Sequence, residues 1–421
     1  MTRIALLPSS YPPSLGGVEE LSRHLALSLR AAGDHVEVWT GQPDDAEPET
    51  VEILDGLVVR RLPMPLPATN WSAIHRTATT GLRSLFSLRS AVAAFRPDVL
   101  HVQCFGPNGA YAVPLSRLTG LPLVITLQGE TLMDDADIFD TSRVLRHALR
   151  TGIRHAAAVT GCSAFTLADA ESRFGLEAGR GSAIPNGVDL ADDPDGVGAR
   201  TDALRAAGAP DRPYVLALGR VVEKKGFDLL IAAFAAMGPG QRAVDLVIAG
   251  SGTALPSLRQ DAVALGVADR VHFVGKLSRD DVAAMMAGAE LFVMPSRMEP
   301  FGIVVLEAWR AGVAVVATDR GGAPEFVRDS VDGVLVDPFD TTGFSLAMAD
   351  LLGDPVRREG IAAAGRARVG AFAWPVVAER YREVYASVVD GTGGAAHHRG
   401  TGHEGGVAAD HARTHQGEAV R

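Results

Sequence analysis

Glu299 and Glu307 stand eight positions apart in Pro295-Ser296-Arg297-Met298-Glu299-Pro300-Phe301-Gly302-Ile303-Val304-Val305-Leu306-Glu307. The apolar run predicts a helix opening near Gly302, with Glu299 in the loop ahead of it and Glu307 inside it. At ~1.5 Å of rise per residue the two carboxylates lie about 12 Å apart along the axis. That is wider than the ~5–5.5 Å pair of a retaining hydrolase. It suits two contacts on one extended ligand. Glu299 would meet sugar hydroxyls, Glu307 a ribose, and the helix start at Phe301, Gly302 and Ile303 the phosphates between them. A surface acid is the plain alternative for Glu307, but Val304, Val305, Leu306 and Trp309 around it argue for a paired carboxylate.

Cations suited to the same ligand lie upstream. Leu218-Gly219-Arg220 and Lys224-Lys225-Gly226 follow an apolar run, so the end of a strand there would present Arg220 and Lys225 to a diphosphate. Lys224 reads as a solvated charge in the turn. Near the N-terminus, Leu15-Gly16-Gly17-Val18-Glu19 opens a helix and lets backbone N–H groups approach an anion, a simple tight turn being the alternative. Fixed cations make a metal unnecessary, and none is assigned. Cys104 and Cys162 form neither a C-x-x-C pair nor a ligand cluster, and Asp135-Ala136-Asp137 is a D-x-D triplet of a kind frequent by chance. A nicotinamide enzyme is disfavoured, because G-x-G-x-x-G is absent and the second strand ends in Trp39-Thr40-Gly41 without the acid that would hold a ribose.

The elements that must position these residues alternate regularly. Arg3–Pro8, His35–Thr40, Leu57–Leu62, Asp98–Gln103, Pro122–Gln128 and Ala157–Cys162 read as strands, apolar on successive residues as parallel strands covered on both faces are. Val18–Ala32 reads as the first helix, capped by Gly33. After a polar, turn-forming stretch at Asp192-Asp193-Pro194-Asp195-Gly196 the rhythm restarts with Tyr214–Gly219, Asp245–Gly250, Val271–Gly275, Leu291–Pro295, Val313–Thr318 and Gly333–Val336. The fold class is α/β, with two doubly wound parallel sheets over 1–188 and 189–373, a terminal helix over 374–390 and a disordered tail over 391–421. Open sheets of this kind bind ligands at the carboxyl ends of their strands, so the site is expected between the domains.

Together, Glu299 and Glu307 as E-x7-E, Gly219-Arg220 with Lys225-Gly226, Pro185-Asn186-Gly187-Val188-Asp189 and Gly16-Gly17-Val18-Glu19 make the chain resemble a retaining glycosyltransferase of family 4, of GT-B architecture. The resemblance spans roughly Met1 to Val389. It implies a first domain that binds the acceptor and a second that binds a nucleoside-diphosphate sugar, with uridine the expected nucleotide. It implies that Glu299 contacts the donor sugar and Glu307 the ribose, that Arg220 and Lys225 bind the diphosphate, and that the Gly16-Gly17 loop closes over it. Gly250-Ser251-Gly252 should lie near the nucleotide and Val274-Gly275-Lys276 near its base, while the helix after Trp374 braces the first domain. One departure stands out. Thr126-Leu127-Gln128-Gly129-Glu130 carries Gln128 where many relatives carry His, and an amide takes up no proton at neutral pH. The mechanism left is same-face substitution, in which the leaving diphosphate oxygen accepts the acceptor's proton. His101 is the runner-up as a base, but it reads first as a satisfied strand histidine.

The acceptor side is expected to involve Gln128, Glu130, His101 and Gln103, with loops at Pro63–Trp71, Gln103–Asn108 and Glu130–Asp140. The last holds Glu130, Asp134, Asp135, Asp137 and Asp140 with no Lys or Arg, which reads first as a solvated loop, with a preference for a polyol or amino-bearing acceptor as the alternative. A net charge of −10 lacks the positive field that nucleic acid requires. No apolar run reaches the ~18 residues of a membrane span and Met1–Pro8 is too short for a signal peptide, so a cytoplasmic protein is expected. Asn70–Pro97 holds four arginines and no acid, but Arg89 and Arg96 project into the arc of Leu82, Leu85, Leu88, Val92 and Phe95, which favours sheet packing over membrane docking. Five histidines, His397, His398, His403, His411 and His415, fall in the Gly-rich tail, where metal capture competes with simple solvation. The leading function is hexosyl transfer to a small polar acceptor, without a cofactor. The alternatives are a nucleotide-sugar epimerase on the same fold and a noncatalytic nucleotide-sugar binder, and a homodimer stays open.

Overall fold

The computed structural model of the chain describes residues 1–14, 16–42, 49–65, 71–134, 137–190, 204, 206–237 and 243–391, with side chains left aside over 71–79. The expected linker at 192–196, the tail beyond 391 with its histidines, and Asp135-Ala136 lie outside these described residues.

Two open sheets form the scaffold. The first contains β1 (Arg3–Pro8), β2 (His35–Gly41), β3 (Thr50–Leu54), β4 (Leu57–Leu62), β5 (Val99–Gln103), β6 (Leu123–Leu127), β7 (Ala158–Gly161) and β8 (Gly181–Ala183) in the order β3-β4-β2-β1-β5-β6-β7-β8. Every pairing is parallel except β3 on β4. The second contains β9 (Tyr214–Leu218), β10 (Asp245–Ala249), β11 (Val271–Gly275), β12 (Leu291–Met294), β13 (Val315–Thr318) and β14 (Val334–Val336) in the order β11-β10-β9-β12-β13-β14, parallel throughout. Central strands such as β5, β6 and β10 are buried along their whole length, as helices on both faces require.

Two strands escaped the sequence reading. β3 is an exposed edge strand joined to β4 through Asp55-Gly56, both at positive φ (51° and 74°), the backbone that a two-residue hairpin turn demands. β8 has three residues, too few for a pattern. The first helix runs Gly17–Ala31, one residue earlier than expected at each end.

Strand order fixes where a ligand can sit. In the first sheet the chain winds outward from β1 to β2 and returns to β5 on the other side of β1. In the second, β9 and β12 form the corresponding pair. At such a switch point the helices diverge and leave a crevice at the carboxyl ends of the strands. The loops leaving β1, β5, β9 and β12 carry Gly16-Gly17, Cys104–Gly106, Gly219–Gly226 and Pro295–Gly302. The terminal helix Trp374–Val389 packs its buried Trp374, Val377, Tyr381 and Tyr385 into the first lobe with Leu21, Leu25 and Leu29 of the first helix. Gly187 must be glycine beneath it, because a Cβ there would lie 2.5 Å from the Trp374 ring.

Candidate functional site

The second lobe brings two loops together at the end of β9 and β12. Lys225 Nζ lies 2.6 Å from Glu299 Oε2, and Ser296 Oγ donates to the same oxygen at 2.8 Å. The carboxylate is buried and the ammonium one-fifth exposed, so the pair is shielded from water yet open on one side to a ligand. Backbone contacts weld the loops. The Arg297 N–H donates to Lys224 O at 3.0 Å, and a Cβ on Gly226 would stand 2.1 Å from Pro295 O. On the other flank the Glu299 N–H donates to Arg320 O and Gly322 N–H to Glu299 O, an approach that leaves a Cβ on Gly321 2.0 Å from the Glu299 carbonyl oxygen. Glycines here are therefore conditions for holding Glu299 in place.

The same holds between β9 and β10. Gly219 and Gly250 have φ of 154° and 134°, and a Cβ on Gly250 would come 1.9 Å from Gly219 O. The Gly250 N–H donates to Gly275 O, which draws Gly275 into the same row, while Lys276 is exposed. After β12, Gly302 at φ 99° caps the helix Ile303–Ala311, whose first N–H groups have no partner within the helix. Glu307 is half-buried in that helix. The Phe301 ring does not line the cleft. It stacks on Phe326 at 4.6 Å and belongs to the second lobe's core, so only its backbone can serve a donor. Ile303 packs against the cores of both lobes, leaving the helix N-terminus as its contribution.

The first lobe faces this arrangement closely. Ser163 Oγ donates to Pro300 O at 2.6 Å, and Gly129 at φ 87° would drive a Cβ to 2.2 Å from the Pro300 ring. Gln128 thus stands beside the Glu299 loop. Its amide N and O are both enclosed and find no hydrogen-bond partner among the described residues. Such an amide is costly unless something else satisfies it. Gly16 and Gly17 are exposed at the start of the first helix, and Gly16 has an extended backbone with Glu19 Oε2 2.5 Å from where its Cβ would be.

Three acceptor-side expectations are corrected. His101 is fully buried, with Nε2 2.7 Å from Thr126 Oγ1 and Nδ1 2.7 Å from Tyr385 Oη. In the neutral ring one of these nitrogens donates and the other accepts, and Thr126 Oγ1 in turn lies 2.6 Å from Thr160 Oγ1. Burial lowers this imidazole to about 3. It is a docking point for the terminal helix rather than a base. Gln103 is buried as well. Glu130 accepts from the Phe105 and Gln128 N–H groups, each at 2.6 Å, and so fixes the ends of β5 and β6 instead of facing an acceptor.

Glu130 carries a pH signature. Burial raises its carboxyl from 4.5 to about 7, against the pull of those N–H groups. A folded value above the unfolded one means stability is fully present below pH 4.5 and is lost as pH rises to about 7. At 1.36 kcal/mol per unit that loss is about 3 kcal/mol. Glu130→Gln should remove it. Denaturant melts at pH 4.5 and 7.5 are expected to show the wild type losing that amount relative to the variant.

The acidic loop is compensated from a distance, which its own sequence did not reveal. Asp140 pairs with Arg173 at 2.6 Å, and Lys224, expected to be solvated, crosses the cleft to Asp137 at 2.8 Å. Arg220 also crosses, donating from Nη2 to Met133 O at 2.9 Å. Sequence reasoning missed Ser163, Ser296 and Glu325 as well. Glu325 accepts from the Ala164 and Phe165 N–H groups at 2.7 Å, a second carboxylate bridging the lobes. The Gly321-Gly322 pair ahead of it was its only signal. No group of three or more metal-ligating side chains occurs among the described residues, and no helix among them is long and apolar enough to cross a membrane. On the helix Trp71–Phe95, Leu88, Ala91 and Phe95 pack inward while Leu82 and Phe86 are exposed.

Comparison with known proteins agrees with this geometry. Residues 16–187 match the family described as glycosyl transferase 4-like domain, and residues 201–368 match glycosyl transferases group 1. The alpha-D-kanosaminyltransferase of Streptomyces kanamyceticus is 32% identical over 355 residues, covering 81% of this chain and 92% of that one. A GDP-mannose-dependent alpha-(1-6)-phosphatidylinositol monomannoside mannosyltransferase of Mycobacterium tuberculosis is 30% identical over 394 residues, 90% and 97% of the two chains. Among solved structures, sucrose-phosphate synthase from Thermosynechococcus elongatus superposes with a TM-score of 0.76 at 24% identity, over 92% of this chain and 100% of that one. Anabaena HepE, in complex with UDP and glucose, superposes at 0.72 and 22% identity, over 92% and 100%. The chain belongs to the group 1, family 4 glycosyltransferases, enzymes of the GT-B architecture.

Proposed function

We propose that the chain transfers a hexose, with retention, from a UDP-sugar to a hydroxyl of a small polar acceptor in the cytoplasm. The observation that carries this reading is the Lys225–Glu299 pair at the β9/β12 switch point, with the Gly129 turn that follows Gln128 packed against Pro300 of the same loop. Glu299 and Gln128 supply hydrogen-bonding groups of the kind sugar hydroxyls need. Arg220 and Lys225 supply the charge that a departing diphosphate needs, in place of a metal ion. Gln128 is unable to take up a proton and His101 is buried in the sheet, which supports the leaving diphosphate as the proton acceptor. As the bond from the anomeric carbon to the diphosphate oxygen breaks, that oxygen accepts the acceptor's hydroxyl proton, and the acceptor oxygen bonds the same face of the sugar.

The test is a thermal-shift screen of UDP- and GDP-sugars followed by product analysis, since a ligand that binds only the folded state raises its apparent stability. Stabilisation by a UDP-sugar and transfer to an added polyol support the reading. Stabilisation by GDP-mannose alone, the donor named for the mycobacterial relative, would overturn the uridine assignment, and donor conversion without an acceptor would overturn the transferase one. Arg220→Ala is expected to lower kcat by on the order of 10²–10³. A rise in donor KM with kcat unchanged would make Arg220 a binding residue only.

A further inference from the structure

Lys224 stands between the two expected diphosphate ligands, yet its side chain turns away from them. Its ammonium donates to Leu132 O at 3.2 Å, to Asp134 O at 2.7 Å and to Asp137 Oδ1 at 2.8 Å. These three acceptors satisfy all three of its protons. They lie around the end of the short helix Glu130–Met133, whose last carbonyls lack partners inside the helix. That helix begins at Glu130, whose carboxylate holds the Gln128 N–H. At its other end Lys224 is anchored by its backbone, because its carbonyl accepts from the Arg297 N–H two residues before Glu299. A continuous chain of bonds therefore runs from the Glu299 loop through Lys224 to the segment carrying Gln128.

The structure assigns Lys224 the role of a positioning residue: it holds the first lobe's Gln128–Asp134 segment in register with the second lobe's donor-binding loop. This deepens the transferase reading and rests on it. Arg220 also reaches across, to Met133 O, but a diphosphate would compete for its guanidinium. Lys224 has its ammonium committed to the opposite lobe, so it can keep the two half-sites aligned while Arg220 and Lys225 serve the donor.

The test compares wild type with Lys224→Met, Lys224→Arg and Asp137→Asn by hydrogen exchange and by titration calorimetry with UDP and GDP. In Lys224→Met, exchange of the N–H groups of 129–134 and 137–141 should speed up about tenfold, with the sheets unchanged. Asp137→Asn should show a smaller increase, since the two carbonyl acceptors remain, and Lys224→Arg should restore protection. Affinity for UDP or GDP should change by less than about threefold in all of them. A tenfold or greater loss of nucleotide affinity with unchanged exchange would make Lys224 a phosphate ligand and overturn the inference, as would no change in either quantity. If neither nucleotide binds the wild type, the transferase reading fails, and the exchange comparison still decides the role of Lys224.

Discussion

Glu299→Gln is expected to lower sugar transfer by on the order of 10³-fold while affinity for UDP stays within a few-fold of the wild type. Gln is nearly isosteric and keeps an oxygen for the Ser296 hydroxyl, so the loop that Gly321 and Gly226 clamp has no steric reason to move. What the variant loses is the negative charge beside Lys225. A charge acting where the sugar's positive character develops helps the transition state more than the bound nucleotide, which places the effect in kcat. Lys225, left without its carboxylate, keeps its attraction for a diphosphate. Steady-state kinetics beside UDP calorimetry separate the two quantities. A parallel loss of nucleotide binding would show that the substitution had collapsed the loop.

Gly250→Ala is expected to be the most damaging backbone change in the second lobe. The added methyl meets the Gly219 carbonyl oxygen at 1.9 Å, and the residue would have to hold φ at 134°. Neither a rotamer change nor a flexible neighbour relieves a clash with backbone. The ends of β9 and β10 must separate, at a combined cost of about 3–5 kcal/mol for overpacking and for a conformation that L side chains avoid. That is a large fraction of a domain's net stability. Because Arg220 follows Gly219 directly, nucleotide binding should weaken in the material that still folds. Gly275→Ala is the control, as its Cβ would meet nothing within 4 Å, leaving only the strain of φ 77°. Denaturant melts of both variants check the ordering.

The parts of this molecule that could be read from the sequence are those where one local rule decides. β5, β6 and β10 are buried end to end and appear as unbroken apolar runs. β3 presents Val51 and Ile53 to solvent, so its apolar residues mimic nothing in the core, and the Asp55-Gly56 turn was the one local signal that could have marked it. Within the site, the Glu299 loop and the Arg220–Lys225 loop were legible because strand ends place charged residues predictably. The direction of the Phe301 ring was not, since an aromatic beside a binding motif looks the same in sequence whether it faces ligand or core. Lys224 and Glu325 were misread or missed for a different reason. Their partners lie about 90 and 160 residues away on the opposite lobe, and no local pattern encodes a contact across a cleft. Glu130 shows the converse, an acid in an acidic loop whose two N–H partners turn it into a fixture of the sheet.

The most direct measurement is calorimetric titration of UDP and GDP into wild type and Arg220→Met, in buffer containing excess EDTA. Binding of at least one nucleotide with undiminished affinity under chelation, weakened tenfold or more by the loss of the guanidinium, is the result this structure predicts. Binding of neither, or binding that appears only when a divalent ion is restored, would contradict it.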